Sequence, residues 1–355
     1  QLSQIRGAIE ANGQVFLVNP NGIVLGNTAQ VDVGGLVAST LDIGPDNFMA
    51  GDFSFEGDSS NAIINRGNIR TADEGHVALI AAEITNRGSI EVPRGDVVMG
   101  AGSRVTLDMG GPVKIEVEET RLDTYIEQGG AIKADGGRVY LTAQAAGELA
   151  ASVINHTGVT RARTLAESDR GEIWLMGDMR SGETRVAGML DASAPNGGDG
   201  GFVETSAAKV RIDDTATVTT RADHGETGEW LIDPQDYTVA ARDGDMTGAA
   251  LSGSLANNNV TIESVQGGTG GDGDIFINDE VSWQSGNTLT LDAWRDIEIN
   301  AGVDASQGDG GRLSLVYGQG DTAGDYIINA PVKLQVGQNF TTRKFGDAPT
   351  SYTVI

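Results

Sequence analysis

Apolar and polar residues alternate along this chain in short bursts broken by glycine. The stretch Gly7-Ala-Ile-Glu-Ala-Asn-Gly-Gln-Val-Phe-Leu17 returns as Gly67-Asn-Ile-Arg-Thr-Ala-Asp-Glu-Gly-His-Val-Ala-Leu79, as Gly88-Ser-Ile-Glu-Val-Pro-Arg-Gly-Asp-Val-Val-Met99 and as Gly130-Ala-Ile-Lys-Ala-Asp-Gly-Gly-Arg-Val-Tyr-Leu141. Shorter echoes stand at Gly188–Ala192 with Gly201–Thr205, and at Gly302–Ala305 with Gly311–Leu315. A period of two residues is the mark of a half-buried strand. Strand, glycine corner and strand, repeated in order, predict a solenoid in which each coil packs only on its neighbours.

The best-matched copies, Asn65-Arg-Gly-Asn-Ile69 and Asn86-Arg-Gly-Ser-Ile90, lie 86 − 65 = 21 residues apart. A spacing near 20 suits three short strands and three corners per turn, with each strand about 4.8 Å above its equivalent, so the expected class is all-β, a parallel β-helix. Ile69, Val77 and Leu79 are expected inside, and Arg70, His76 and Ala78 outside. One coil alone cannot fold, because ordering about 20 residues at 1–2 kcal/mol each outweighs four buried aliphatics at about 1.5–3 kcal/mol each. Thr120–Gln128, Thr160–Ser168 and Ala241–Ser254 lack the glycine corners and read as excursions, the last holding a short helix with Leu251 and Leu255 four apart. A change of composition at Arg221–Glu229 suggests a division into 1–120, 121–228 and 229–355.

Composition sharpens this. The 51 glycines and 5% aromatics among 355 residues suit many short strands around a narrow interior and argue against a helical bundle. The net charge of −26 makes nucleic acid and anionic membranes poor partners and keeps a long β surface soluble. There is no cysteine, which stacked coils do not need, and no apolar run approaches the roughly 18 residues that cross a bilayer. The chain opens at Gln1 in strand-like sequence and closes at Ile355 in mid-strand, so it is expected to be a fragment or processed piece.

Asn19-Pro-Asn-Gly-Ile23 is the sharpest short motif. Pro20 presets the backbone for a turn, and Asn19 can bond the backbone two residues on, so steric reasoning alone describes a tight, rigid corner. Its setting adds to this: Asn12–Gly26 followed by Ala29–Ile43 closely resembles the secretion domain of filamentous-haemagglutinin-like and high-molecular-weight adhesins exported by two-partner secretion. Gly200-Gly-Phe-Val-Glu-Thr-Ser206 and Glu229-Trp-Leu-Ile-Asp-Pro234 resemble the high-molecular-weight branch, so the likeness reaches most of the chain. The resemblance implies a right-handed β-helix with loop or hairpin excursions, recognised by a dedicated outer-membrane transporter through its periplasmic domains. It implies that Asn19, Pro20, Asn21, Gly22 and Ile23 form the secretion motif, and that the protein is a secreted or surface adhesin of a Gram-negative bacterium with a host-cell receptor. Family members begin with a signal peptide and a further capping segment bearing a second such motif; neither stands here, so Gln1 is expected to fall partway into the secretion domain.

Other chemistry is sparse. Loops around Asp199, Asp272, Asp274 and Asp309 are rich in Asp and Gly and could offer oxygens to calcium, though Asp-Gly is also a common corner and their spacing is not that of calcium β-rolls. Otherwise no cofactor is expected. Asp213-Asp214 is the only tempting carboxylate pair for a polysaccharide lyase or hydrolase, and His76, His156 and His224 are scattered, so catalysis is not expected. Asn155, Asn259 and Asn339 begin glycosylation-type sequons. Trp174, Trp230, Trp283 and Trp294 read as packing residues, with no two at one repeat position. An interaction scaffold or cap, with adhesion carried by downstream coils, is the nearest alternative.

Overall fold

The structure, a computed structural model, describes residues 1–118, 123–145, 151–165, 170–267, 271–320 and 323–355. Strands stack coil upon coil in three parallel faces around a single core, a parallel β-helix. The first face is an eight-stranded sheet that begins with Ser3–Ile5, Ile23–Leu25 and Ala62–Asn65 and ends at Lys209–Ile212. The second and third begin together, because the long strands Ala8–Val18 and Gln30–Ser39 bend through both, with a register shift between Ala11 and Gln14.

Inward positions form columns of like residues. On the first face Ile23, Ile63, Ile84, Ile126 and Ile154 pair in succession, each fully buried. On the third face the column runs Leu36, Val77, Val97, Val139, Ile173, Val203, Trp230, Val260, Leu289, Leu313. The indole of Trp230 finds a hydrogen-bond acceptor in Thr205 Oγ1 at 3.2 Å on the preceding coil, so the largest side chain in the column buries no orphan donor.

The glycines that open each repeat have a common cause. A Cβ on Gly88 would sit 2.1 Å from Gly67 O, and Gly130, Gly158 and Gly188 each meet the glycine of the coil before in the same way. A second ladder links Gly75, Gly95 and Gly137 at the next corner, where a Cβ on Gly95 would lie 2.0 Å from Gly75 O. Backbones touch at these corners, and only glycine fits.

Several expectations need correction. The spacing of 21 holds between Asn65 and Asn86, but Asp96 and Arg138 are paired neighbours 42 residues apart, and Thr261 reaches Glu229 across 32. Strands must stay in register while corners absorb insertions at small entropic cost, so strand order is regular and coil length is not. Thr124–Gln128 is a regular strand of the first face, and Thr160 and Arg161 belong to the second, so these parts are not excursions; residues 120–122 and 166–168 lie outside the described residues. Within 241–254, Asp245 and Met246 fold back beside Thr238 and Val239. The helix α1, Pro45–Ala50, lies in an early insertion and was not expected; the single short helix that was expected, α2, spans Gly248–Leu255, with Thr247 as its N-cap. Leu251 and Leu255 of α2 join the core, so α2 occupies a strand's place in the second face between Thr217–Thr219 and Val281–Ser282.

The largest departure lies on the outside of the third face. His76 and Ala78, expected at the surface, are buried: a three-stranded antiparallel sheet of Phe53–Glu56, Arg104–Asp108 and Lys114–Glu118, the flap, covers Ala78, and the His76 ring lies over Gly35 beside Asp96. Phe55, Val105 and Leu107 pack there on Val37, Ala78, Ile80 and Val98. Strands reading His-Val-Ala-Leu-Ile-Ala and Asp-Val-Val-Met-Gly-Ala are apolar on both faces, the pattern of a doubly covered strand. Burial depresses the pKa of His76, partly opposed by Asp96, and among the described residues its Nε2 has no hydrogen-bond partner. The flap is pinned by Asp96, which accepts from Val113 N at 2.6 Å and from Arg138.

The third face passes unbroken through Arg221–Glu229, since Phe202–Ser206 pairs with Glu229–Asp233. What changes there is the second face, where α2 replaces a strand.

Candidate functional site

The motif at Asn19–Ile23 forms the corner between the third face of the first coil and the first face of the next. Val15–Val18 arrives as strand, Asn19 N donates to Ser39 O at 2.9 Å, and Gly22 N closes the turn onto Asn19 O at 3.0 Å. Neither Pro20 nor Asn21 has positive φ, so the turn is of type I, with Gly22 at its last position at φ +100°. A Cβ on Gly22 would meet Leu2 Cδ1 at 2.9 Å and Ala62 O at 3.2 Å.

The five residues divide by task. Asn19 Oδ1 accepts from Asn21 N at 3.0 Å, while Asn19 Nδ2 donates to Gln1 O at 2.9 Å and Ser3 Oγ at 2.7 Å. Its amide is consumed in holding the turn and the first strand. The carbonyl of Pro20 accepts from Ser59 Oγ at 2.6 Å and Asn61 Nδ2 at 2.8 Å, tying the corner to the coil that follows. Ile23 is fully buried at the head of the isoleucine column. The Pro20 ring and the Asn21 side chain remain exposed, and Asn21 bonds only to Asn19 Oδ1, at 3.3 Å. Steric turn rules predict this geometry; the divided roles rest on Ser3, Ser59 and Asn61, which the motif does not announce.

The remaining candidate residues do not gather. Asp272 and Asp274 are both claimed by Arg295, whose pKa is raised chiefly by its hydrogen bond to Asp274 and then by the neighbouring carboxylate charges, and Asp199 accepts from Glu226 N at 2.9 Å. Asp309 lies exposed in a separate corner. Among the described residues no three His, Cys, Asp or Glu converge to hold a metal ion. Asp213 accepts from Thr215 N and Oγ1, bonds that lower its pKa, and Asp214 accepts from Thr247 Oγ1 at 2.6 Å, so this carboxylate pair caps turns. Asn155 is half-buried on the outer side of the first face. The amide of Asn259 is engaged on both sides, donating to Thr227 O and accepting from Thr288 N. Asn339 Nδ2 donates to Gln335 O at 3.1 Å. Trp230 and Trp283 are core residues, whereas Trp174 lies half-buried on the outer surface of the third face beside Tyr140 and Phe202.

The TPS secretion domain model matches residues 1–185, which include the Asn19–Ile23 corner. A heme/hemopexin-binding protein of Haemophilus influenzae (strain Rd) is 29% identical over 147 residues, covering 37% of this chain and 16% of the relative. A second heme/hemopexin-binding protein of Haemophilus influenzae is 49% identical over 41 residues, 12% of this chain and 4% of the relative. The chain thus spans 16% or less of the length of these curated relatives. In fold it is similar to the crystal structure of the HMW1 secretion domain from Haemophilus influenzae, with a TM-score of 0.63 and 22% identity over 97% of this chain and 83% of that one. With the family model covering 185 of its 355 residues, the chain belongs to the TPS secretion domain family.

Proposed function

We propose that this chain is the export-recognition and folding-nucleation region of a non-enzymatic adhesin, with Asn19–Ile23 as its secretion motif. The observation that carries the reading is the division of roles at the corner: Asn19 and Gly22 build the turn while the Pro20 ring and Asn21 amide face outward, available to the transporter's periplasmic domains. Residues 1–120 then carry recognition, 121–228 continue the helix, and 229–355 begin the rod. Mature protein sits at the cell surface or is released, where it meets a host-cell or surface receptor.

The fold supports export driven by folding. Apart from the outer sheet, where Phe53–Glu56 pairs with Arg104–Asp108 two coils on, each coil pairs only with its neighbours, so coils can form in order as the chain emerges, each templated by the last, and folding outside opposes return. The heme/hemopexin-binding relatives match over so small a share of their length that shared export, rather than shared ligand, accounts best for the likeness.

The test is secretion of the precursor, co-expressed with its transporter, carrying Asn21→Ala or Pro20→Ala. Export should fall several-fold while the purified chain keeps its unfolding midpoint. Undiminished secretion of both variants would sink the assignment.

A further inference from the structure

Where the flap's outer strand Lys114–Glu118 leans over the third face, a cleft of about 310 Å³ opens. Its floor is aromatic. Tyr140 and Trp174 are register partners on successive coils with ring centroids 6.4 Å apart, and Trp174 meets Phe202 at 4.8 Å. All three rings are half-buried, so they present surface to solvent rather than to the core.

The polar rim is partly satisfied and partly free. Asp96 and Arg138 neutralise each other and bind Val113 through its N and O. Glu172 uses Oε2 to accept from Trp174 Nε1 at 3.2 Å, which steers the indole, and among the described residues its Oε1 has no partner. Lys114 is exposed, and among the described residues neither its ammonium nor the Tyr140 hydroxyl has a hydrogen-bond or ion-pair partner. One free carboxylate oxygen and one phenol therefore line the aromatic cleft, with the exposed Lys114 at its edge.

We infer that this cleft binds a neutral pyranose sugar. The apolar C–H face of a sugar ring stacks on an indole or phenol, and its hydroxyls both donate to a carboxylate and accept from an ammonium, the pair offered by Glu172 and Lys114. Charge selects neutrality: the free rim groups cancel, and the chain's −26 repels polyanions. The volume lies at the small end of the roughly 300–1,000 Å³ typical of ligand sites, which suits one or two rings.

The experiment titrates the whole 355-residue chain with methyl glycosides of neutral hexoses and N-acetylhexosamines, with sialyllactose and an unrelated extended peptide as comparisons. Calorimetry and the NMR signal of the Trp174 indole report binding. Saturable binding of a neutral sugar that moves this signal, and that weakens at least tenfold in Trp174→Ala at unchanged thermal midpoint, supports the assignment. Glu172→Gln and Lys114→Met should weaken the same sugar, and they decide the matter if Trp174→Ala lowers the midpoint. No saturable sugar binding, binding indifferent to these residues, or binding of only sialyllactose or peptide overturns it.

Discussion

Asn65 Nδ2 donates to Asn86 Oδ1 at 2.8 Å, one coil away, and Asn86 Nδ2 passes the chain on to Gln128 Oε1 at 2.7 Å, all three amides fully buried. The ladder fixes the register of successive coils at one corner, because a slip by one residue would bury unpaired amides. Asn86→Ala leaves Asn65 Nδ2 and Gln128 Oε1 without partners, and should cost about 2–3 kcal/mol in urea unfolding. A loss under about 0.5 kcal/mol would remove the ladder from the account of stability.

His156 follows Gln128 in the same column, fully buried, with Nδ1 unpartnered among the described residues and Nε2 on Thr160 Oγ1 at 2.9 Å. Burial lowers its pKa from 6.5 to about 4. The unfolded chain therefore binds a proton that the folded chain refuses, so stability is full above pH 6.5 and falls as pH drops toward 4, by about 3 kcal/mol in all. His156→Gln should flatten the thermal midpoint between these pH values. An unchanged slope would show that the proton is taken up elsewhere.

Asp233 has the opposite sign. It lies on the outer side of the third face near Glu204 and Glu263, and its desolvation, aided by those two charges, raises its pKa from 3.8 to about 7. The folded chain here holds a proton that the unfolded one releases, so this contribution is complete below about pH 4 and is lost as pH rises through 7. Asp233→Asn should raise stability at pH 8 more than at pH 5, as read by denaturant midpoints. Equal effects at both values would assign the strain to something other than charge.

The corner glycines offer a paired comparison. Gly95→Ala drives a Cβ to 2.0 Å from Gly75 O, backbone that cannot yield, and should cost about 3 kcal/mol or more. Gly253, inside α2, has nothing within 4 Å, and Gly253→Ala should stabilise by roughly 0.5–1 kcal/mol through helix propensity. Chemical denaturation of the two variants checks both signs, and equal effects would refute the close-contact explanation.

Asn19 and Asn21 should separate in the same way. Asn19→Ala removes bonds to Gln1, Ser3 and Asn21 and should lower stability by about 1–2 kcal/mol as well as export. Asn21→Ala loses only a long bond to Asn19 Oδ1 and should leave the melting curve within about 0.5 kcal/mol. Thermal melts of the purified variants decide this; an Asn21→Ala chain as unstable as Asn19→Ala would make Asn21 structural.

The strand faces, the glycine corners, the turn at Asn19 and the helix at Leu251 and Leu255 were legible in the sequence, because each follows from residues a few positions apart. Alternation places Ile69 and Val77 inward whatever lies around them, and the closing bond of the turn runs only from Gly22 N to Asn19 O. Pairings across long stretches of chain were not legible. Phe55 covers Ala78 only because Phe53–Glu56 pairs with Arg104–Asp108 from a later insertion. Tyr140 meets Trp174 only because coil length stretches at the intervening corner, and α2 enters the wall of the helix only because strands above and below leave it a place. Local sterics and period-two burial determine which segments become strands; which outer faces are covered, and which side chains meet there, depends on how many residues each corner inserts, and that only the stacked coils decide.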